Sequence, residues 1–339
     1  MRFYFNPYRE RRRAFHRSLE GYAVTPLVRL GPVYVKDESQ RLGLNAFKVL
    51  GGSWAMHRVL EQRAVNVFSC ATDGNHGRAV AATARRLGYQ AVVFVPANMV
   101  PARIENLRRE GARVEVVEGT YDEALRRCAA ESEAQGWQVI SDSGYGGYLE
   151  IPQWVVEGYA TIFEECEEQM AERGWARPRV VMIQAGVGGL LCAAVRHFRA
   201  WGDGTQVVCV EPEDADCLMA SITSEGGRPR ASQGSQNSIM SGLNCGEVSL
   251  SAWEENRDGV DLFLTIGDVW AERAMRRLAA AGVVAGESGA AGLAGWLALW
   301  EAPEFAPARE QMGLTEQTPV LVINTEGATD PEGYRRVVG

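Results

Sequence analysis

Val65-Asn66-Val67-Phe68-Ser69-Cys70-Ala71-Thr72-Asp73-Gly74-Asn75-His76-Gly77 reads as a strand, a tight turn and the first turn of a helix. A short apolar run closed by Asp, Gly and Asn is how a buried strand ends. The helix over 76–87 is stopped by Gly88. Working outward, the alternation continues. A strand is expected over 91–95, a helix opened by Pro101 over 101–110, a strand over 113–117, a helix over 121–135 and a strand over 138–140. Strands that alternate with helices build parallel βαβ units. Residues 67–150 are therefore expected to form one compact lobe.

The flanking sequence predicts a second, larger lobe from residues 1–66 and 151–339. Residues 1–31 read as an arm over the surface, with the basic run Arg9, Arg11, Arg12, Arg13 and Arg17 in solvent. A strand over 33–36 leads through a polar loop to a helix over 52–62. Later come a helix over 152–172, strands over 180–183, 206–210 and 320–323, and helices over 190–201, 268–281 and 289–299. The Gly/Ser-rich stretch 223–240 reads as a mobile loop. The expected fold is α/β and two-lobed, with mostly parallel twisted sheets flanked by helices.

The bulk properties limit the function. The 339 residues carry a net charge of −8, which provides no general attraction to nucleic acid or to an anionic membrane. No apolar stretch is long enough to span a membrane, and the N-terminus lacks a signal-peptide pattern. The seven cysteines are scattered without a CxxC pair, and the four histidines lack metal-ligand spacing. Reduced thiols in a cytoplasmic protein without a metal centre are expected.

Three segments carry chemistry. In Asn45-Ala46-Phe47-Lys48-Val49-Leu50-Gly51-Gly52 a lysine sits among apolar neighbours. Desolvation disfavours its ammonium, and a neutral amine attacks carbonyls to form a Schiff base. The same lysine could simply extend its amine to water at a helix end. Gly186-Val187-Gly188-Gly189-Leu190 lies between a strand and a helix, where backbone N–H groups and the helix N-terminus cradle a phosphate. It is neither a P-loop nor a GxGxxG, and a plain βα turn has the same composition. In the opening turn, Asp73 could move a proton and Asn75 could bond a ring oxygen, although both residue types also cap helices.

Lys48 with its glycines, Gly74-Asn75-His76-Gly77, Gly186-Val187-Gly188-Gly189 and Asn324-Thr325-Glu326-Gly327 occur in this order over about residues 24–330. Together they resemble the fold type II pyridoxal 5'-phosphate (PLP) enzymes, the tryptophan synthase β-subunit-like family. Within it, the diaminopropionate ammonia-lyases are similar over Asp37 to Leu44, Ala71 to Gly77, Tyr148 to Pro152, Gln184 to Gly188, Ser241 to Glu247 and Glu287 to Gly292. The stretch Asp142 to Tyr148 departs from that pattern.

The resemblance implies a PLP-dependent α,β-elimination of 2,3-diaminopropionate to pyruvate and ammonia. The alternative is another lyase or β-replacement enzyme of this fold acting on serine-, threonine- or cysteine-like amino acids. It assigns Lys48 the covalent attachment to the cofactor, Phe47 a place beside the ring, Asn75 the ring hydroxyl and Gly186, Val187, Gly188, Gly189 and Leu190 the phosphate. Thr325 becomes the partner of the pyridine nitrogen, and Glu287 a further cofactor residue, although acids are favoured at helix N-termini in any case. Asp73 and Asp142 become the two acids that handle the α-proton and the leaving amine. For Asp142 an ordinary loop position after a strand stays open. Cys217 and Cys245, on either side of the 223–240 loop, are either buried free thiols or an oxidative latch. The fold analogy implies a homodimer. The rivals are an effector-binding protein of this fold and a nucleotide-binding α/β protein using the Gly186–Gly189 turn.

Overall fold

The computed structural model describes residues 9–339, except Asp73, Asn98, Thr120 and the side chain of Asp122. In chain order its elements begin with α1 (Arg9–Ser18), β1 (Leu27–Leu30), β2 (Val33–Asp37) and α2 (Lys48–Gln62). The segment rich in alternation gives β3 (Val67–Ala71), α3 (Asn75–Leu87), β4 (Gln90–Pro96), α4 (Pro101–Arg109), β5 (Arg113–Val117), α5 (Tyr121–Gln135) and β6 (Gln138–Val139). Then follow α6 (Glu150–Glu172), β7 (Val180–Gln184), α7 (Gly189–Trp201), β8 (Gln206–Pro212), α8 (Cys217–Ile222), α9 (Leu250–Gly259), β9 (Leu262–Ile266), α10 (Asp268–Ala280) and α11 (Ala291–Glu301). α12 (Ala306–Gln311), β10 (Val320–Asn324) and α13 (Pro331–Val338) close the chain.

Among the described residues the strands form two sheets. A six-stranded sheet has the order β1-β2-β10-β7-β8-β9, and a four-stranded sheet the order β5-β4-β3-β6. Every pairing is parallel except β1 with β2. The fold is thus the expected α/β arrangement of mostly parallel sheets with helices against them. The central strands β7 and β10 are buried along their length, as continuous apolar runs in parallel sheets are. No helix among the described residues is long and apolar enough to cross a membrane.

Two close approaches fix where the site lies. α2 packs on α6, and Gly158 in α6 lets the backbones nearly touch. A Cβ there would lie 2.4 Å from the Leu50 carbonyl oxygen and 2.7 Å from the Gly51 Cα. Gly51 in turn faces the Tyr159 ring, 2.5 Å from where its own Cβ would be. The first turn of α2, which carries Lys48, is thereby pressed onto α6.

In the N-terminal arm Arg9, Arg11 and Arg17 are exposed as expected of a solvated basic run, but Arg12 and, in part, Arg13 are not. Arg12 and His16 of α1 are fully buried. Arg12 pairs with Glu164 of α6 at 2.5 Å, and Arg13 with Glu168 at 2.5 Å. The acids that neutralise them lie about 150 positions away in sequence, so the run read as solvated. Residues 1–8 of that arm lie outside the described residues. The 223–240 stretch is mostly irregular but tied down. Ser232 N–H donates to Gly246 O at 2.9 Å, Arg230 N–H to Ser221 Oγ at 2.8 Å and Gln236 N–H to Asp214 O at 2.8 Å.

Candidate active site

A cavity of about 950 Å³ opens at the carboxyl ends of β7, β10 and β3, where parallel sheets characteristically hold ligands. Phe47, Lys48, Asn75, Asp142, Thr325 and the run Gly186 to Leu190 all line it. These positions are scattered over nearly 280 residues of sequence, and the topology brings them to one place. Glu287 is buried but is not among the lining residues, whereas its neighbour Ser288 is. Burial raises the Glu287 carboxyl above its ordinary value. Asp73 lies outside the described residues.

Lys48 is the first residue of α2, and its Nζ stands 2.5 Å from Asp142 Oδ2. Burial lowers the pKa of this amine, as its apolar neighbours suggest, but Asp142, with Tyr159 and Cys245 adding to it, outweighs burial and the net shift is upward. The pairing with an acid 94 positions away opposes the expected loss of charge and favours the ammonium form of the free amine. A positive charge at a helix N-terminus is otherwise unfavourable, so Asp142 supplies what the helix does not. Burial pushes the Asp142 carboxyl up, yet facing His76 and Lys48 hold it well below the usual carboxylate range. His76 Nε2 lies 2.9 Å from the Ile140 carbonyl oxygen, which can only accept, so Nε2 carries a proton. Its Nδ1 faces Asp142 Oδ2 at 3.7 Å.

The glycine turn before α7 directs its carbonyls away from the cavity. Gly186 O accepts from Cys217 Sγ at 3.4 Å, Val187 O from Ser249 N–H at 2.9 Å and Gly188 O from Asn256 Nδ2 at 3.0 Å. Gly188 has φ +95°, and a Cβ on it would lie 2.6 Å from Asn256 Nδ2. Only glycine fits there without strain. The N–H groups at the start of a helix lack intrahelical partners, and here they border the cavity beside the positive end of the α7 dipole. This is a fitting cradle for a phosphate.

Three further residues shape the cavity. Tyr159 of α6 packs its ring 4.8 Å from Phe47 and raises no sequence signal, because it sits in an apolar helix face. Gln184 ends β7 as a polar residue after four apolar ones. Its Nε2 lies within 3.1 Å of the carbonyls of Ser288, Gly289 and Ile323 and of Thr325 Oγ1. The carbonyls fix nitrogen on that side, so the Thr325 oxygen faces a donor and its own hydroxyl proton is directed elsewhere. Glu326 accepts from Asn75 Nδ2 at 2.5 Å. The polar end of β7 and the acid after Thr325 were visible in the sequence but had no assigned use. Cys217 and Cys245 are both thiols, converging on Gly186 from its carbonyl and Cα sides.

Comparison with known proteins adds an independent line. Residues 19–316 match the family described as "Pyridoxal-phosphate dependent enzyme". The diaminopropionate ammonia-lyase of Salmonella typhimurium is 35% identical over 96% of this chain and 90% of its own. The human L-serine dehydratase/L-threonine deaminase is 33% identical over 56% of this chain and 55% of its own. A crystal structure of the Escherichia coli diaminopropionate ammonia-lyase, in complex with an aminoacrylate-PLP azomethine reaction intermediate, superposes with a TM-score of 0.89. It is 35% identical and covers 97% of this chain and 91% of that one.

Proposed function

The chain belongs to the pyridoxal-phosphate dependent enzyme family, and from that premise we propose that it removes the β-amine of 2,3-diaminopropionate, giving pyruvate and ammonia. The observation that carries the reading is the Lys48–Asp142 pair at the mouth of the glycine cradle. It joins an amine able to tether an aldehyde to an acid able to take a proton. The 35% identity with diaminopropionate ammonia-lyases over nearly the whole chain supports the substrate.

The residues present suit pyridoxal 5'-phosphate. Gly186 to Leu190 would hold its phosphate, Lys48 its aldehyde, Asn75 its ring oxygen and Thr325 its pyridine nitrogen, with Phe47 beside the ring. Glu287 would act from outside the cavity lining, on the segment carrying Ser288. When bound, the cofactor accepts the electron pair left at Cα. With Lys48 engaged by the cofactor, Asp142 would keep His76 as its charged neighbour but lose the Lys48 ammonium. Loss of that ammonium shifts the carboxyl upward, in the direction of a group that can accept a proton. Asp142 would take the α-proton or return one to the departing amine, and Asp73, by the resemblance, would be the second acid. A carboxylate also pairs with the β-ammonium that distinguishes this substrate from serine. The β-carbon–nitrogen bond breaks, ammonia leaves, and water hydrolyses the released enamine to pyruvate and a second ammonia.

We assign residues 1–66 and 151–339 to a large cofactor-binding lobe and 67–150 to a smaller lobe. The scattered thiols favour a cytoplasmic enzyme, and the fold favours a homodimer. The test is product stoichiometry. Diaminopropionate should give ammonia in twofold excess over pyruvate, faster than serine gives equal amounts. A preference for serine would replace this reading with that of a dehydratase.

A further inference from the structure

Glu326 follows Thr325 at the end of β10 and lines the cavity, but the chemistry of elimination does not call on its side chain. It is 3% exposed. Its Oε2 accepts from Asn75 Nδ2 at 2.5 Å and from Thr329 Oγ1 at 3.2 Å. Its backbone pairs with Ala46 in an isolated antiparallel bridge. Around that bridge, Phe47 N–H donates to Thr325 O at 3.1 Å and Gly327 N–H to Asn45 O at 3.0 Å. The same residue therefore fastens the backbone leading into Lys48 and reaches the first turn of α3, which belongs to the other sheet. Its Oε1 lies 3.1 Å from where a Cβ on Gly286 would be, so a larger residue at 286 would crowd the carboxylate.

A primary amide is nearly symmetric in shape, with donors on one side and an acceptor on the other. Facing a cavity, Asn75 could present either. An ionised carboxylate only accepts, so a carboxylate partner selects one orientation and strengthens the bond that holds it. With one N–H committed to Glu326, the second N–H and Oδ1 of Asn75 point in fixed directions. We propose that Glu326 is a positioning residue, which sets the orientation of the Asn75 amide and with it the hydrogen bond Asn75 makes to the cofactor's ring oxygen. This rests on the assignment of Asn75 as a cofactor ligand. It makes the contact between α3 and the end of β10 part of the cofactor site.

The test is titration of pyridoxal 5'-phosphate into cofactor-free protein, read by affinity and by the position of the visible band. Glu326→Ala and Asn75→Ala should each weaken binding about tenfold, the worth of one charge-assisted hydrogen bond. The double variant should be no weaker than the worse single one, because both changes remove the same interaction. Glu326→Gln, whose amide can donate as well as accept and carries no charge, should fall between wild type and Glu326→Ala. Unchanged affinity and band in Glu326→Ala, or additive losses in the double variant, would overturn the inference. If Glu326→Ala does not fold, a swap decides. Asn75→Asp sets two carboxylates against each other and should lose affinity, and Glu326→Gln added to it should restore about tenfold. No restoration overturns the inference. Wild-type protein that takes up no cofactor would instead defeat the family-based reading.

Discussion

Lys48 Nζ and Asp142 Oδ2 stand 2.5 Å apart, one at the start of α2 and the other just beyond β6. The pair joins the two sheets at the half-buried wall of the cavity, and each charge favours the ionised form of the other, with His76 adding to the hold on Asp142. Replacing one partner leaves the other charge uncompensated.

Asp142→Asn should therefore leave cofactor uptake in place and slow elimination by roughly 10²–10⁴-fold, the usual worth of a positioned acid–base. Pyruvate release under saturating substrate checks this. A rate close to wild type would remove Asp142 from the chemistry.

The crossing of α2 on α6 supplies a second expectation. Gly158→Ala would drive a Cβ to 2.4 Å from the Leu50 carbonyl oxygen, a clash with backbone that cannot rotate away. Overpacking of this kind costs about 1–3 kcal/mol. Thermal melting should fall accordingly, and the visible band should broaden as the Lys48 turn shifts. A variant as stable as wild type, with the same band, would mean that the helices separate at no cost.

A buried ionic cluster ties the chain before Lys48 to α6. Lys36 Nζ and Arg41 Nη2 lie 2.6 and 2.7 Å from Glu165 Oε2, and Arg41 Nε lies 2.7 Å from Glu38 Oε2. Glu165→Gln leaves two cations short of charge and should cost about 3–5 kcal/mol. Burial pushes the Glu165 carboxyl up, but Arg41 and Lys36 outweigh it and bring the pKa down to about 2 from 4.5. A depressed carboxyl contributes stability that is complete above pH 4.5 and lost as pH falls toward 2. Melting temperature followed across that window should fall more steeply in wild type than in Glu165→Gln.

His16 and His197 titrate in the opposite sense to a paired histidine. Burial, reinforced by nearby arginines, lowers each from 6.5 to about 3. Below pH 6.5 the unfolded chain takes up protons that the folded chain refuses, so stability falls as pH drops from 6.5 toward 3. His197 packs among Phe163, Phe198 and Trp201. His197→Phe should therefore flatten the melting-temperature slope between those pH values. An unchanged slope would mean that His197 is not the group responsible.

Much of this fold is written locally. The glycines at 88 and 188, the proline at 101 and the apolar runs of β4, β7 and β10 mark their elements without outside information. The glycine cradle and Lys48 were legible for the same reason, since each needs particular residues at adjacent positions. What local patterns do not carry is partnership across the chain. Arg12 reads as a solvated base until Glu164 is beside it, and the acid that faces Lys48 is invisible until the fold brings Asp142 to it. Tyr159, Gln184 and Glu326 gain their place in the cavity only from the crossing of helices and the order of strands. The antiparallel β1 at the sheet edge is likewise four residues long and has too little pattern to announce itself.

The most direct measurement is borohydride reduction of the cofactor-loaded protein followed by peptide mapping. The expected result is a stable pyridoxyl adduct on Lys48 alone, with loss of the visible band and of pyruvate release. An adduct on another lysine, or none, would contradict the assignment from which the rest follows.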